Sequence, residues 1–98
     1  MMRKTIEMLE FNDDGIRLEI AGTSPAQAFG MVDGKRLYFC EQGTDWVCAI
    51  SENADVDPQD MTSDEHGYYK AAKLEQSGLL LAEDVKHLIL GCIAEYRG

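Results

Sequence analysis

The chain has 98 residues, of which 45% are hydrophobic and 28% charged, and this composition is typical of one globular domain spanning residues 1–98. Acidic residues outnumber basic ones 18 to 9, so the formal net charge is −9. A field of this sign repels nucleic acids and anionic membranes and attracts basic proteins. No apolar run reaches the ~18 residues of a membrane span, and no apolar stretch near the start resembles a secretion signal. We therefore expect a cytoplasmic protein with a basic protein as its partner.

The three cysteines, Cys40, Cys48 and Cys92, indicate buried, reduced thiols, because an odd number in a chain without a secretion signal does not suggest a disulfide framework. Their spacing also lacks the close Cys pairs of structural zinc sites. In the strand pairing derived below, Cys40 and Cys48 point to opposite faces of the sheet and cannot bind one metal ion. We expect neither a metal nor a cofactor.

Two Asp-Gly pairs divide the N-terminal half into hairpins. Asp14–Gly15 and Asp33–Gly34 each lie between apolar runs, and this dipeptide is among the strongest signals for a two-residue turn between strands. A third turn is expected near Gly43–Thr44, and residues 22–25, which include a proline, form a break between strands. The predicted strands are Thr5–Phe11, Ile16–Ile20, Ala26–Val32, Lys35–Glu41 and Asp45–Ile50.

The turn positions decide which side chains share a face of the sheet. With the first Asp-Gly pair as a two-residue loop, Phe11 lies opposite Leu18 and Leu9 opposite Ile20, and all four belong to the core. In the following strands one face carries Val32, Leu37, Phe39, Trp46, Cys48 and Ile50. The other face carries Phe29, Met31, Tyr38, Cys40 and Val47. Because both faces are apolar, a helix or a partner must cover the second one.

Residues 51–66 predict an exposed acidic loop that leads into a helix. The segment Thr62–Glu65 has the pattern of a capping box, and with Gly78 as a stop it predicts a helix over about residues 63–77. Two adjacent tyrosines in this stretch favour a strand instead. A strand over residues 68–74 therefore stays open as the alternative.

Apolar residues repeat at helical spacing from Val85 to Tyr96, which predicts a helix over about residues 82–97. Acids in its first turn and Arg97 at its end match the helix dipole. We therefore expect an α+β fold: an antiparallel meander of about five strands over residues 3–50, then two C-terminal helices, the last packed on the sheet. A small five-stranded barrel with a C-terminal helix is the alternative.

No motif in the sequence predicts an enzyme. A glycine-rich phosphate loop is missing, as are the His-Glu-x-x-His and Gly-x-Ser-x-Gly patterns. Asp64–Glu65–His66 could be a general-base cluster, although the first turn of a helix explains acids there equally well. We expect no catalysis, and the alternative that stays open is an enzyme or small-ligand binder that uses Asp64, His66 and Tyr68.

The acidic segment, defined as residues 52–65, is the feature that most suggests a function. Its carboxylates could imitate nucleic-acid phosphates or dock on a basic protein, and nearby tyrosines would supply aromatic anchors. A loop that only keeps the protein soluble is the alternative. The residues expected to bind a partner are Glu52, Asp55, Asp57, Asp60, Asp64, Glu65, Tyr68 and Tyr69.

The leading hypothesis is a small acidic protein-binding module that occupies a basic partner protein, such as an inhibitor, an immunity-type protein or a phage counter-defence protein. It follows from the charge, the size and the acidic segment. A homo-oligomeric structural or scaffold module is the alternative, because apolar side chains lie away from the expected core. The residues expected to mediate self-association are Phe29, Met31, Tyr38 and Leu90.

Overall fold

The computed structural model describes residues 8–21, 26–74 and 81–98. These ranges form one antiparallel sheet, in which each strand pairs with its neighbours in chain order, and one α-helix. The strands are Met8–Asp13 (β1), Ile16–Ala21 (β2), Gln27–Val32 (β3), Lys35–Gln42 (β4), Asp45–Ser51 (β5) and Gly67–Lys73 (β6), and the helix is Ala82–Arg97 (α1). Two short 3₁₀ helices, Pro58–Asp60 and Asp64–His66, lie between β5 and β6. The α+β class predicted from the sequence is confirmed.

Both Asp-Gly turns have the backbone that the sequence predicts. Asp14 and Asp33 have φ angles of 56° and 52°, and each is followed by a glycine that also has a positive φ. This is the left-handed geometry of a two-residue hairpin turn, which matches the natural twist of the flanking strands. The expected pairings of Phe11 with Leu18 and of Leu9 with Ile20 are present.

The core lies between α1 and one side of the sheet, which we call the inner face. The predicted inner set, from Val32 to Ile50, is buried there, together with three residues of β2. From the helix, Val85 and Ile89 are completely buried, and Cys92 and Ile93 nearly so. Burial of one such aliphatic side chain contributes about 1.5–3 kcal/mol, so this stripe fixes the helix on the sheet.

The helix predicted over residues 63–77 is wrong. Ser63 caps only a single 3₁₀ turn, with its Oγ accepting a hydrogen bond from the Glu65 N–H at 3.3 Å, and β6 begins at Gly67. β6 pairs along the whole length of β5, so the open edge of β5 captures a segment that carries two tyrosines. The alternative strand over residues 68–74 is close to the observed one, and the expected stop at Gly78 lies outside the described residues.

The expected number of elements also needs correction. The described ranges contain six strands rather than five, and one α-helix rather than two. The alternative of a closed barrel is wrong as well, because β1 and β6 are the two ends of the strand order and do not pair with each other. In the open sheet, α1 packs on the inner face, which would line the interior of a closed barrel. The part of the first predicted strand before Met8 and the break at 22–25 lie outside the described residues.

The second apolar face, which we call the outer face, is covered in part by the acidic segment and not by a helix. The short helix Pro58–Asp60 packs against β4 and β5, and its first residue, Pro58, and the following Met61 are buried. Tyr38, one of the outer side chains, is consequently 7% exposed. The cover does not extend over β3, where Phe29 is 49% and Met31 37% exposed.

Polar contacts anchor the end of α1 to both sides of the sheet. Arg97 donates to both carboxylate oxygens of Asp33, at 2.9 and 3.1 Å, and to the carboxylate and the backbone carbonyl of Asp14, at 3.0 and 2.7 Å. One guanidinium therefore joins the two hairpin turns. On the other side, the Glu95 carboxylate accepts from the Tyr68 hydroxyl at 2.7 Å and from Lys70 Nζ at 2.9 Å.

Within the described ranges, no helix is long and apolar enough to cross a membrane.

We expect Ile89→Ala to lower the free energy of unfolding by about 2–5 kcal/mol, because the side chain is completely buried and its removal leaves a cavity. Leu88→Ala should lower the free energy of unfolding by less, because Leu88 is only half-buried. The control is His87→Ala on the exposed side of the helix, with an expected change below about 0.5 kcal/mol. Denaturant unfolding followed by circular dichroism measures all three, and equal losses for Ile89 and His87 would show that the stripe does not form the core.

The Arg97 contacts also predict a pH dependence. The hydrogen bonds from Arg97 hold the pKa of Asp33 below its ordinary value, despite opposing desolvation. A carboxyl group with a lowered pKa stabilises the folded state above its unfolded pKa of about 4, and this contribution disappears as the pH falls through the lower, folded-state pKa. We therefore expect Arg97→Ala to lower the melting temperature at neutral pH and to differ less from the wild type once Asp33 is protonated, when only the bonds from Arg97 to Asp14 remain. Arg17→Ala is the control. A difference in melting temperature between Arg97→Ala and the wild type that persisted unchanged at low pH would contradict the role given to Asp33.

Candidate functional site

The outer face carries a row of side chains that changes from acidic to aromatic across the sheet. Residues that lie directly opposite each other on successive strands belong to one row, because their side chains point to the same side. The central row, from β1 to β6, consists of Glu10, Glu19, Phe29, Tyr38, Ala49 and Tyr69. The adjacent row consists of Asn12, Arg17, Met31, Arg36, Ser51 and Gly67. Apolar, acidic and basic groups therefore lie within one surface.

Arg36 holds the acidic segment against this face. It lies opposite Met31 in β3, and its Nη2 donates to the carbonyl oxygens of Ala54 at 3.0 Å and Val56 at 2.9 Å. Its Nη1 lies 3.9 Å from a carboxylate oxygen of Asp57. A side chain of the sheet thus fixes the backbone of a loop some 20 residues further along the chain, and it places that loop beside the exposed Met31.

Internal hydrogen bonds fix the conformation of the same segment. The Ser51 hydroxyl contacts the carbonyls of Asn53 at 2.8 Å and Val56 at 2.7 Å. The Asn53 side chain accepts from the Asp55 N–H at 2.9 Å, and the Asp57 side chain accepts from the Gln59 N–H, also at 2.9 Å. Side-chain acceptors of this kind stabilise turns and the first turn of a short helix. These bonds give the backbone of about residues 51–60 a defined conformation, from which the exposed carboxylates project.

The structure leaves all six predicted acids exposed to solvent, but it separates the two tyrosines. Tyr69 lies on the outer face, opposite Ala49, whereas Tyr68 lies on the inner face, opposite Ile50. Burial, followed by a hydrogen bond to Glu95, raises the pKa of Tyr68, and its ring packs edge-on against Tyr96 with centroids 6.1 Å apart. Tyr68 therefore joins the sheet to the helix and does not share a surface with Tyr69.

The residues expected to mediate self-association divide in the same way. Phe29 and Met31 are exposed on the outer face. Tyr38 is buried beside them, its ring centroid 5.3 Å from that of Phe29, and desolvation raises its pKa to about 12. Leu90 lies on the helix and packs partly against the core. The apolar surface available to a partner is therefore that of Phe29 and Met31.

The suggested set Asp64, His66 and Tyr68 does not form one cleft in the described structure. Asp64 is exposed in the second 3₁₀ helix, and the backbone carbonyl of His66 accepts a hydrogen bond from the Glu52 N–H at 2.8 Å. The Tyr68 hydroxyl donates a hydrogen bond to the Glu95 carboxylate of α1, on the inner face of the sheet. In residues 8–21, 26–74 and 81–98 there is no group of three or more His, Cys, Asp or Glu side chains that could hold a metal ion.

The thiols occupy the positions that the strand pairing predicts. Cys40 lies opposite Val47 and Cys48 opposite Phe39, so these two cysteines point to different faces. The sequence reasoning did not place Cys48 and Cys92 in one core cluster, which the packing of the helix on the sheet does. The neighbouring Cys92 thiol and burial raise the pKa of Cys48, so its thiol stays protonated inside the core. All three cysteines are buried and free.

A groove of about 450 Å³ crosses β1, β2 and β3 on the outer face. The outer side chains that line it are Glu10, Asn12, Arg17, Glu19, Phe29 and Met31. Gly30 also lines it and allows β2 and β3 to approach closely, because a Cβ at this position would collide with the carbonyl oxygen of Arg17. The glutamates were not among the predicted site residues, although the hairpin register already places Glu10 opposite Glu19.

Comparison of the chain with protein-family models, with curated proteins and with solved structures gave no match. The functional argument therefore depends on the geometry of the outer face.

We expect Arg36→Ala to free the acidic segment while leaving the sheet intact, because it removes two charged hydrogen bonds to backbone carbonyls. Hydrogen exchange of the Val56 and Asp60 amides should accelerate by about tenfold or more, in line with the loss of hydrogen bonds from a charged donor. Exchange in β2 and β3 should not change. Arg17→Ala, on the same face, is the control, and a uniform acceleration across the whole protein after Arg36→Ala would contradict a local role.

Proposed function

We propose that the chain is a small protein-binding module that occupies a basic partner protein through its outer face, in the manner of an inhibitor, an immunity-type protein or a phage counter-defence protein. The observation that carries the proposal is the anchoring of the acidic segment by Arg36 and Ser51, which orders the backbone from which its exposed carboxylates project. A loop that served only solubility would not require these contacts. We propose further that the protein acts in the cytoplasm, and that it acts by occupying its partner rather than by catalysis.

Three physical effects favour binding at this face. A segment that is ordered before binding loses less conformational entropy when the complex forms, so more of the interaction energy appears as affinity. The net charge of −9 accelerates the encounter with a basic protein and disfavours acidic ones. Exposed Phe29 and Met31 lie next to the anchored segment and supply the apolar contact that charged surfaces alone lack.

A homo-oligomeric module is the second candidate, and the exposure of Phe29 and Met31 is the observation that favours it. Self-association through this face would bring two acidic segments of like charge together, and salt would screen that repulsion. Light scattering at low and high salt distinguishes the two proposals. We expect a monomer under both conditions, whereas an oligomer that forms through Phe29 and is lost in Phe29→Ser would support the second candidate.

The partner proposal predicts that the acids of the segment act by position and not only by their total charge. We expect the triple variant Asp55→Asn, Asp57→Asn, Asp60→Asn to lose capture of basic proteins from an extract of the native cells. Asparagine keeps the capping of the 3₁₀ helix, so the fold of the segment should survive. Captured proteins are identified by mass spectrometry, and their affinity is then measured with purified components.

The matched control changes the charge by the same amount elsewhere: Asp13→Asn, Asp45→Asn and Glu83→Gln, all exposed and outside the acidic segment. We expect this variant to retain the partner with at most a modest loss. Equal retention by both triple variants, or capture of acidic rather than basic proteins, would contradict the proposed function.

A further inference from the structure

The groove across β1, β2 and β3 combines features that the acidic segment lacks. Glu10 and Glu19 lie directly opposite each other, and like charges in this arrangement destabilise a sheet. In the described part of the chain neither carboxylate has an ion pair or a side-chain hydrogen bond. The two glutamates therefore form an unneutralised pair that a cation from outside would stabilise.

An aromatic ring continues the same row. Phe29 lies opposite Glu19 in the next strand, is 49% exposed, and rests against the buried ring of Tyr38. A guanidinium is planar, binds carboxylates through two parallel hydrogen bonds and stacks on aromatic rings, whereas an ammonium is a compact and more strongly hydrated charge. Two carboxylates beside an aromatic ring therefore fit arginine better than lysine.

The remaining groove residues determine how such a side chain would lie. Met31 provides an apolar surface for the methylene groups that precede a guanidinium. Arg17 lies in the adjacent row between Asn12 and Met31 and has no ion pair within the described ranges. Its positive charge repels a second cation and so favours the glutamate end of the groove over the Arg17 end.

We propose that the groove receives an arginine side chain of the basic partner, with the guanidinium between Glu10 and Glu19 and against the ring of Phe29. The inference rests on the proposed function, since it identifies which group of the partner the outer face recognises. It commits to a basic segment of a protein, because the groove is open to solvent and its residue Met31 lies opposite Arg36, which anchors the acidic segment.

The test uses the whole chain and a defined probe. The peptide acetyl-Gly-Arg-Gly-amide is titrated into isotope-labelled protein, and amide chemical shifts are followed by NMR. Two matched peptides replace arginine by lysine or by citrulline, which has the shape of arginine without its charge. We expect saturable shifts in β1, β2 and β3 with the arginine peptide, weaker binding of the lysine peptide and no binding of the citrulline peptide.

Variants assign the binding to the proposed groups. Glu19→Gln and Phe29→Leu should each weaken the binding of the arginine peptide by about two- to fivefold, which is the range expected for exposed ion pairs and cation–π contacts. Arg17→Gln should strengthen it by about twofold or more, because a repulsive charge is removed. Glu83→Gln on the helix is the control for charge and should have no effect. Spectra of the free variants verify that the fold is retained.

Three results would overturn the inference: equal shifts with the citrulline peptide, shifts confined to the acidic segment, or binding that Glu19→Gln leaves unchanged. Its failure can be told apart from failure of the proposed function. Loss of partner capture in the Asp55, Asp57 and Asp60 variant without arginine binding in the groove would remove only this inference. Arginine binding in the groove, together with partner capture that both triple variants retain, would contradict the proposed function through the acidic segment and would leave arginine recognition by the groove supported.

Discussion

The contact between the apolar stripe of α1 and the inner face of the sheet is the interaction on which the other features depend. In the described ranges this one helix covers six strands, so its position defines the core. Arg97 and Glu95 fix that position from two sides, the first by joining both Asp-Gly turns and the second by holding β6. Because the helix occupies the inner face, the outer face has to be stabilised by something else.

The chain meets this requirement with the acidic segment. Its two buried apolar residues, Pro58 and Met61, cover part of the outer face, and its carboxylates point away into solvent. One stretch therefore combines a structural function with a charged, ordered surface. The cover ends before β3, and this leaves Phe29 and Met31 exposed between the segment and the paired glutamates of β1 and β2. In the function that we propose, this mixture of apolar and acidic groups is the surface that recognises a basic protein.

The sequence determined the features that depend on local chemistry. Asp-Gly pairs require a left-handed backbone, and alternation along each strand then fixes the face of every side chain. This was enough to place the hairpins, the inner set, the opposite orientations of Cys40 and Cys48, and the stripe of the last helix. It also contained the opposition of Glu10 and Glu19, which follows from the same register and could have been read from it.

The tertiary structure decided what depends on contacts between distant parts of the chain. Local signals at residues 62–65 resembled a helix start, but the unpaired edge of β5 made a strand at Gly67–Lys73 the better solution. The separation of Tyr68 from Tyr69 follows from that strand, since neighbouring residues of a strand point to opposite faces. Likewise, the anchoring of the acidic segment by Arg36 joins residues far apart in sequence, and no local pattern encodes it. The sequence alone thus determined where the charges are, and only the folded sheet decided that they form an ordered surface beside an exposed aromatic ring.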